Sequence, residues 1–228
     1  MHIEPGVVIG AKIVLSYATA LASFGLMAKL TSEHIKKDGG VVSLVLRSIF
    51  TAALVFSFFE VLPHYAVGVS EVHLILGSTL FLIFGAAPAA IGLAFGLLVQ
   101  GLFFEPADLP QYGMNVTTLL VPLYAMSKIA PRIIPSGTAY KDVSYKQALT
   151  LSTSFQAGIV TWVGFWAIYG HGFTTENMAN VASFGVAYMS VIIVEPLIDL
   201  AILALTKLWH NQLQGSIMVQ PRLYRTAF

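Results

Sequence analysis

The sequence predicts an all-α polytopic membrane protein with seven transmembrane helices, its N-terminus outside and its C-terminus inside. Three observations carry that reading: composition, the lengths of the apolar runs, and the placement of the basic residues. Hydrophobic residues make up 57% of the 228-residue chain and charged residues only 10%, with a mean hydropathy of +0.79. A soluble domain carries about 25% charged residues, so this composition belongs to a chain that lives in lipid.

A crossing helix needs about 20 apolar residues to span a hydrocarbon core about 30 Å thick. On that ruler the first span runs from Val7 to Leu30 and ends before the polar stretch Thr31–Gly40. The second runs from Val41 to Leu62 and stops at Pro63. The third, Val72 to Ala86, is short and is separated from the fourth, Pro88 to Phe104, by a break at Ala86-Ala87-Pro88, because the residue before proline leaves the helical region readily. A re-entrant hairpin is the alternative for this pair. The fifth runs from Met114 to Ala130, the sixth from Gln147 to Tyr169, and the seventh from Ala179 to Leu208 with a bend expected at Pro196. A cytoplasmic tail follows, about 210–228. The whole of 1–228 reads as one transmembrane domain.

Charge placement fixes the orientation. Lys29, Lys36, Lys37, Arg47, Lys128, Arg132, Lys141, Lys146, Lys207, Arg222 and Arg225 fall on the inner side, eleven of the twelve basic residues, with Lys12 near the outer end. Outer positions carry Glu4, Glu60, Glu71, Glu105, Asp108 and Glu176, as the positive-inside rule requires. Ala20-Leu21-Ala22 imitates a signal-peptidase site. The segment before it holds Glu4 and no basic residue until Lys12, so the first span reads as retained. The absence of cysteine excludes disulfides and thiolate metal sites. The net charge of +1 gives no nucleic-acid footprint. There is no G-x-x-x-x-G-K-[ST] loop, so the chain is no P-loop ATPase, and ATP-driven work falls to a partner.

The chemistry concentrates at the start, Met1-His2-Ile3-Glu4-Pro5-Gly6. A free terminal amine, the His2 amide nitrogen and the His2 imidazole close two adjacent chelate rings on one metal ion. The amine has a pKa of roughly 7.7–8, so a metal displaces its proton at modest cost near neutral pH. Three nearly coplanar nitrogens suit Ni(II) or Cu(II), with Co(II) a neighbour in the series. The bland alternative is an idle, solvated His2. The same topology puts His64 and His73 outside, with His73 in Glu71-Val72-His73-Leu74 within reach of a terminus folded back at Pro5-Gly6. Asn115, at the top of the fifth span, suits a hydrogen bond to that terminus or to a ligand imidazole.

These residues resemble the CbiM/NikM family, the substrate-binding membrane components (S components) of energy-coupling factor (ECF) cobalt and nickel transporters. The likeness rests on Met1-His2-Ile3…Gly6, His73-Leu74…Gly77, Phe84-Gly85-Ala86-Ala87-Pro88, Leu98-Val99-Gln100-Gly101-Leu102-Phe103-Phe104 and Gly113-Met114-Asn115, with Glu195 a weaker echo. The resemblance implies metal ligation by the Met1 amine, the His2 amide and imidazole and the His73 imidazole, with Asn115 holding the terminal segment. It also implies a transmembrane coupling subunit, two ATPase subunits and, in many members, a small accessory membrane protein. Location would be the plasma (inner) membrane, and the cargo Ni(II) or Co(II) for a nickel enzyme or for cobalamin biosynthesis. The chain departs from the family at Glu105-Pro106-Ala107-Asp108, where an Asp-Gly-Gly turn is usual, at Glu4-Pro5, and at Pro196, where glycine is usual.

Other residues have plainer expectations. His64 follows Glu60 by one helical turn, which suggests an (i, i+4) pair; an outer auxiliary ligand is its functional alternative, and Glu71 belongs to the same lid. His34, His171 and His210 read as solvated. Lys12 is expected to snorkel or to pair with Glu4 or Glu71. Glu195 and Asp199 lie four apart within the seventh span and must face protein. Gly92-x-x-x-Gly96 and Ala18-x-x-x-Ala22 are small-residue faces for internal packing or for the coupling subunit. Trp162, Trp166, Tyr169, Trp209 and Tyr112 read as interfacial anchors. Two rivals remain: a membrane redox subunit with histidine axial ligands, and an ECF component for an organic vitamin.

Overall fold

The computed structural model describes residues 3–226. Met1 and His2, and Ala227 and Phe228 at the end of the tail, lie outside the described residues. A 3-10 turn, Gly10–Ile13, runs into α1 (Val14–Lys37). Helix α2 (Gly40–Phe56) ends in a widened π turn, Ser57–Val61. Leu62 then leaves the helix in an extended conformation (ψ 148°), as the residue before Pro63 must. A two-stranded antiparallel hairpin follows, β1 (Tyr65–Val67) and β2 (Ser70–Val72), with Tyr65 opposite Val72. Its two-residue turn needs a positive φ, which Gly68 supplies at 63°. Then come α3 (Gly77–Phe84), α4 (Ala86–Phe103), α5 (Tyr112–Ile133), α6 (Tyr145–His171), α7 (Thr175–Met189), α8 (Val191–Leu208) and a short α9 (His210–Leu213).

Caps explain several starts. Ser144 and Gln147 form a reciprocal capping box at α6, and Thr174 accepts from the Asn177 N–H at α7. Helix α5 lies against α1, α4 and α6, and α2 packs most extensively on α4. Gly92 and Gly96 make that last contact: a Cβ at Gly92 would sit 2.3 Å from Thr51 Oγ1, and one at Gly96 2.6 Å from Val55. The other small-residue pair, Ala18 and Ala22, stays on an exposed face of α1.

Among the described residues, four helical stretches are long and apolar enough to cross a membrane: Gly10–Lys37, Gly40–Val61, Ala86–Phe103 and Thr175–Leu208. The third expected span is different in kind. Val72 ends β2, residues 73–76 form no helix and Leu76 turns through a left-handed conformation, and α3 itself has 8 residues, about 12 Å of helix. In the last stretch the break falls at Ser190, between α7 and α8, while Pro196 lies inside α8. Proline cannot bond the carbonyl four residues back and crowds it, so the distortion is displaced upstream of the ring.

The tail is docked on the end of the bundle opposite the hairpin. At the end of α3 the Gly85 N–H closes on Phe81 O, and the carbonyls that follow lie beyond the helix's own donors. Gln220 Nε2 donates to Phe81 O (2.6 Å) and Leu82 O (2.7 Å), the Gln220 N–H to Ile83 O, and Arg47 to Phe84 O. Arg47 is 1% exposed and also holds Asp38 and the Ile217 carbonyl. His34 corrects the solvated reading: it is buried, with Nε2 2.9 Å from Ser43 Oγ and Nδ1 3.3 Å from Asp38. Trp166 is likewise core rather than an interfacial anchor. Its neighbours are Trp162, Phe165 and Tyr169.

Candidate metal centre

His73 sits where the hairpin hands the chain to α3. It is 1% exposed, with Phe59 of the π turn edge-on at 5.2 Å and His64 stacked at 4.7 Å between ring centroids. The π turn brings Phe59 inward, and the extended exit at Leu62 carries His64 back across His73. The Glu60–His64 pair is therefore not made as a helical pair. His64 Nδ1 lies 3.2 Å from the Leu62 carbonyl instead. Glu71 Oε2 lies 2.9 Å from His73 Nε2. An ionised carboxylate only accepts, so this contact places a hydrogen on Nε2 and, in a neutral ring, the lone pair on Nδ1.

The terminal segment lies along the hairpin. Ile3 pairs antiparallel with Ser70, and the Glu4 N–H donates to the Val69 carbonyl at 3.2 Å. Asn115 Oδ1 accepts from the Ile3 N–H at 2.9 Å across a separation of 112 residues. Ile3 is fully buried and Asn115 1% exposed. Gln100 and Asn115, with Asp108 and Tyr112, border a cavity of about 10 Å³. Gln100 Oε1 and Asn115 Nδ2 have no protein partner among the described residues. Lys12 holds the other side of the segment. It pairs with neither expected carboxylate: its Nζ donates to the Tyr169 and Gly170 carbonyls at 2.9 Å each, at the C-terminal end of α6. A cation there meets orphan carbonyls and the negative end of the helix dipole.

Acidic groups surround this end. Burial pushes the Glu4 carboxyl above its ordinary value, and Glu71 adds to the shift. Burial, then the neighbouring Glu71, Glu105 and Glu4, pushes Asp108 up to about 6. Among the described residues no three His, Asp or Glu side chains converge as a ligand set. The expected ligands Met1 and His2 lie outside that description. The structure thus groups His73 with Glu71 and His64, and joins Asn115 to the backbone of Ile3, which pairs with Ser70 of the same hairpin. Sequence reasoning missed Ser70, Phe59 and the role of Lys12. Only the alternation of Ser70-Glu71-Val72 hinted at a strand on which the terminus pairs.

The chain matches the family model described as the cobalt uptake substrate-specific transmembrane region over residues 2–212. A crystal structure of a transition metal transporter shares the fold, with a TM-score of 0.56 over 95% of each chain at 14% sequence identity. No curated protein matches the chain by sequence.

Proposed function

The chain belongs to the cobalt uptake substrate-specific transmembrane region family, and we propose that it is the metal-capturing component of an ECF-type importer for Ni(II) or Co(II). The observation that carries the reading is the seating of Ile3 between Asn115 and Ser70, the first residue of the strand that leads directly to the buried His73. Met1 and His2 directly precede Ile3 in sequence. In this reading the Met1 amine, the His2 amide and imidazole and His73 supply four nitrogens. Glu71 orients His73 by accepting from Nε2, which gives Nδ1 to the ion; a carboxylate on the far ring nitrogen raises ligand basicity. Nitrogen ligands discriminate against Mg(II) and Ca(II), which prefer oxygen.

The surrounding Glu4, Glu71, Glu105 and Asp108 attract divalent cations to the mouth. His64, stacked on His73, serves as a lid or auxiliary ligand. The chain forms one transmembrane domain of seven crossings in the plasma membrane, N-terminus outside, with the 210–228 tail on the inner face. The third crossing combines α3 with its non-helical lead-in, 73–76. Non-helical backbone at membrane depth is tolerated where protein covers it, and His73, Ile75 and Leu76 are buried. A coupling subunit with two ATPases supplies the energy for inward release. The exposed Ala18 and Ala22 face of α1 suits docking of that subunit.

Equilibrium titration of untagged protein with Ni(II) and Co(II) tests the centre. A Gly-Ser pair added before Met1, and separately His73→Ala, are each expected to weaken affinity by two orders of magnitude or more, on the order of 3 kcal/mol. Wild-type affinity in either variant would remove that ligand from the reading.

A further inference from the structure

A buried polar cluster away from His73 is centred on α8. Glu195 and Asp199 are 0% and 1% exposed, one helical turn apart. Ser152 Oγ and Gln156 Nε2, from α6, each donate to Glu195 Oε2 at 2.5 Å. Ser78 Oγ, from α3, lies 3.2 Å from Glu195 Oε1 and 2.8 Å from Asp199 Oδ2, and Thr79 donates to Asp199 Oδ1. The charges do not balance. The basic groups in ion pairs among the described residues are His34, Arg47, His73, Lys128, Lys141 and Lys207, and none of these pairs involves Glu195 or Asp199.

Even on lenient scales an ionised carboxylate costs about 2.5–3.5 kcal/mol at the centre of a membrane. The hydrogens fall short too. Ser78 has one hydroxyl hydrogen and touches both carboxyl groups, so a hydrogen on a carboxyl completes the second contact. Gln156 Oε1 belongs to the amide already bound to Glu195. It is fully buried and accepts nothing among the described residues. Each of the four carboxyl oxygens is already engaged by Ser78, Thr79, Ser152 or Gln156, and among the described residues no third acidic or histidine side chain joins the pair as a metal ligand.

We infer that Glu195 and Asp199, bridged by Ser78, form a proton-binding site in the bundle interior, a second cation site separate from the His73 centre. The bound proton supplies the positive charge that lets α8 lie against α3 and α6. Without it, two like charges flank one hydroxyl and force α8 away from α3, whose first residue, Gly77, is four residues beyond His73. Few other ionisable groups face the pair. Helix α3 carries none, and α6 carries none between Lys146 and Tyr169. Helix α7 presents Tyr188, fully buried and within electrostatic reach of Glu195. The Lys207–Asp142 pair is eight residues further along α8, about 12 Å away, and His210 lies beyond it.

Infrared spectroscopy of the full-length protein in lipid nanodiscs tests this site. At neutral pH the wild type should show a carboxylic-acid C=O stretch, and the Glu195→Gln/Asp199→Asn double variant should lose it. Thermal unfolding of the wild type should be insensitive to exchanging Na+, K+ or Mg2+ at fixed ionic strength. No such band in the wild type, or a band unchanged in the double variant, overturns the site. So does a saturable Na+, K+ or Mg2+ stabilisation that the double variant lacks. If the double variant does not fold, Ser78→Ala serves: it keeps both carboxyls and removes the bridge, so the band should shift, and an unshifted band counts against the proposal. None of these readouts depends on nickel or cobalt binding, so failure here is distinguishable from failure of the His73 reading.

Discussion

Asn115 does with one carbonyl oxygen what no neighbour in sequence does: it accepts the Ile3 N–H in a fully buried setting. Asn115→Leu keeps the volume and leaves that N–H unsatisfied, at a cost of about 1–3 kcal/mol. In the proposed function the loss falls on the bound terminus, so Ni(II) affinity should drop at least tenfold with the helical circular dichroism spectrum unchanged; an unaltered titration would separate Asn115 from the site. Asp108 gives a pH test. Its carboxyl titrates near 6 because burial and then Glu71, Glu105 and Glu4 oppose its ionisation. Below that pH it is neutral, and above it the mouth gains a negative charge. The rate of Ni(II) association should therefore rise as pH passes through about 6 and fall with added salt. Stopped-flow measurements on Asp108→Asn should lose that component of the rise. The stability sign is opposite. A carboxyl whose folded pKa is raised binds more protons folded than unfolded, so its contribution declines as pH climbs from about 4 towards 6.

Among the elements, the hairpin and α3 form the working unit. The hairpin is the template for the terminal segment, and its turn is pressed against α7: a Cβ at Gly68 would lie 2.2 Å from the Asn180 carbonyl. Gly68→Ala combines that clash with a positive φ, and should lower the melting temperature and loosen metal binding together. Leu76 joins the hairpin to α3 with φ 55°, an unusual conformation for a bulky residue. Its side chain is nonetheless buried, and packing holds the backbone there. Helix α3 ends at Gly85, where φ is 94°, and another part of the chain satisfies its last carbonyls. Gln220→Ala removes two side-chain bonds to the Phe81 and Leu82 carbonyls and should destabilise the protein by about 2 kcal/mol. Thermal unfolding checks this, and an unchanged midpoint would mean water replaces Gln220 without loss.

At the scale of the whole molecule, the hairpin with His73 and the docked tail lie at opposite ends of α3, and the carboxylate pair of α8 sits between them. The proposed orientation can be read directly, because the chain has no cysteine of its own. Ala107→Cys and Ser136→Cys place single thiols in exposed loops. A membrane-impermeant maleimide added to intact cells should label the first and spare the second; the reverse pattern would invert the topology. Much of this plan was legible beforehand. The apolar runs around α1, α2, α4 and α7–α8 reappear as helices, because a mostly apolar stretch that sits in lipid must satisfy its own backbone hydrogen bonds, which a helix does. The break expected at Ala86-Ala87-Pro88 falls instead at Gly85, whose φ of 94° ends α3, and Ala86, Ala87 and Pro88 form the first turn of α4, where a proline's missing N–H costs no helical bond.

The third span was expected as a single helix because Val72–Ala86 is mostly apolar, with His73, Ser78 and Thr79 its only polar side chains. Hydropathy does not distinguish a buried extended segment from a helix. The partners of Lys12 are distant α6 carbonyls brought in by folding, and His34 is buried because Asp38 and Ser43 close over it across the turn between α1 and α2. By itself, the sequence determined that this chain dissolves in a bilayer and which of its stretches do so, since transfer from water depends on local composition. It also marked the residues rich in ligand chemistry. Tertiary structure alone decided that Ile3 meets Asn115 and Ser70, that Glu71 meets His73 Nε2, and that Ser78 stands between Glu195 and Asp199. Those contacts join parts of the chain through packing geometry, and no local periodicity encodes which buried hydrogen-bond donor will find which acceptor.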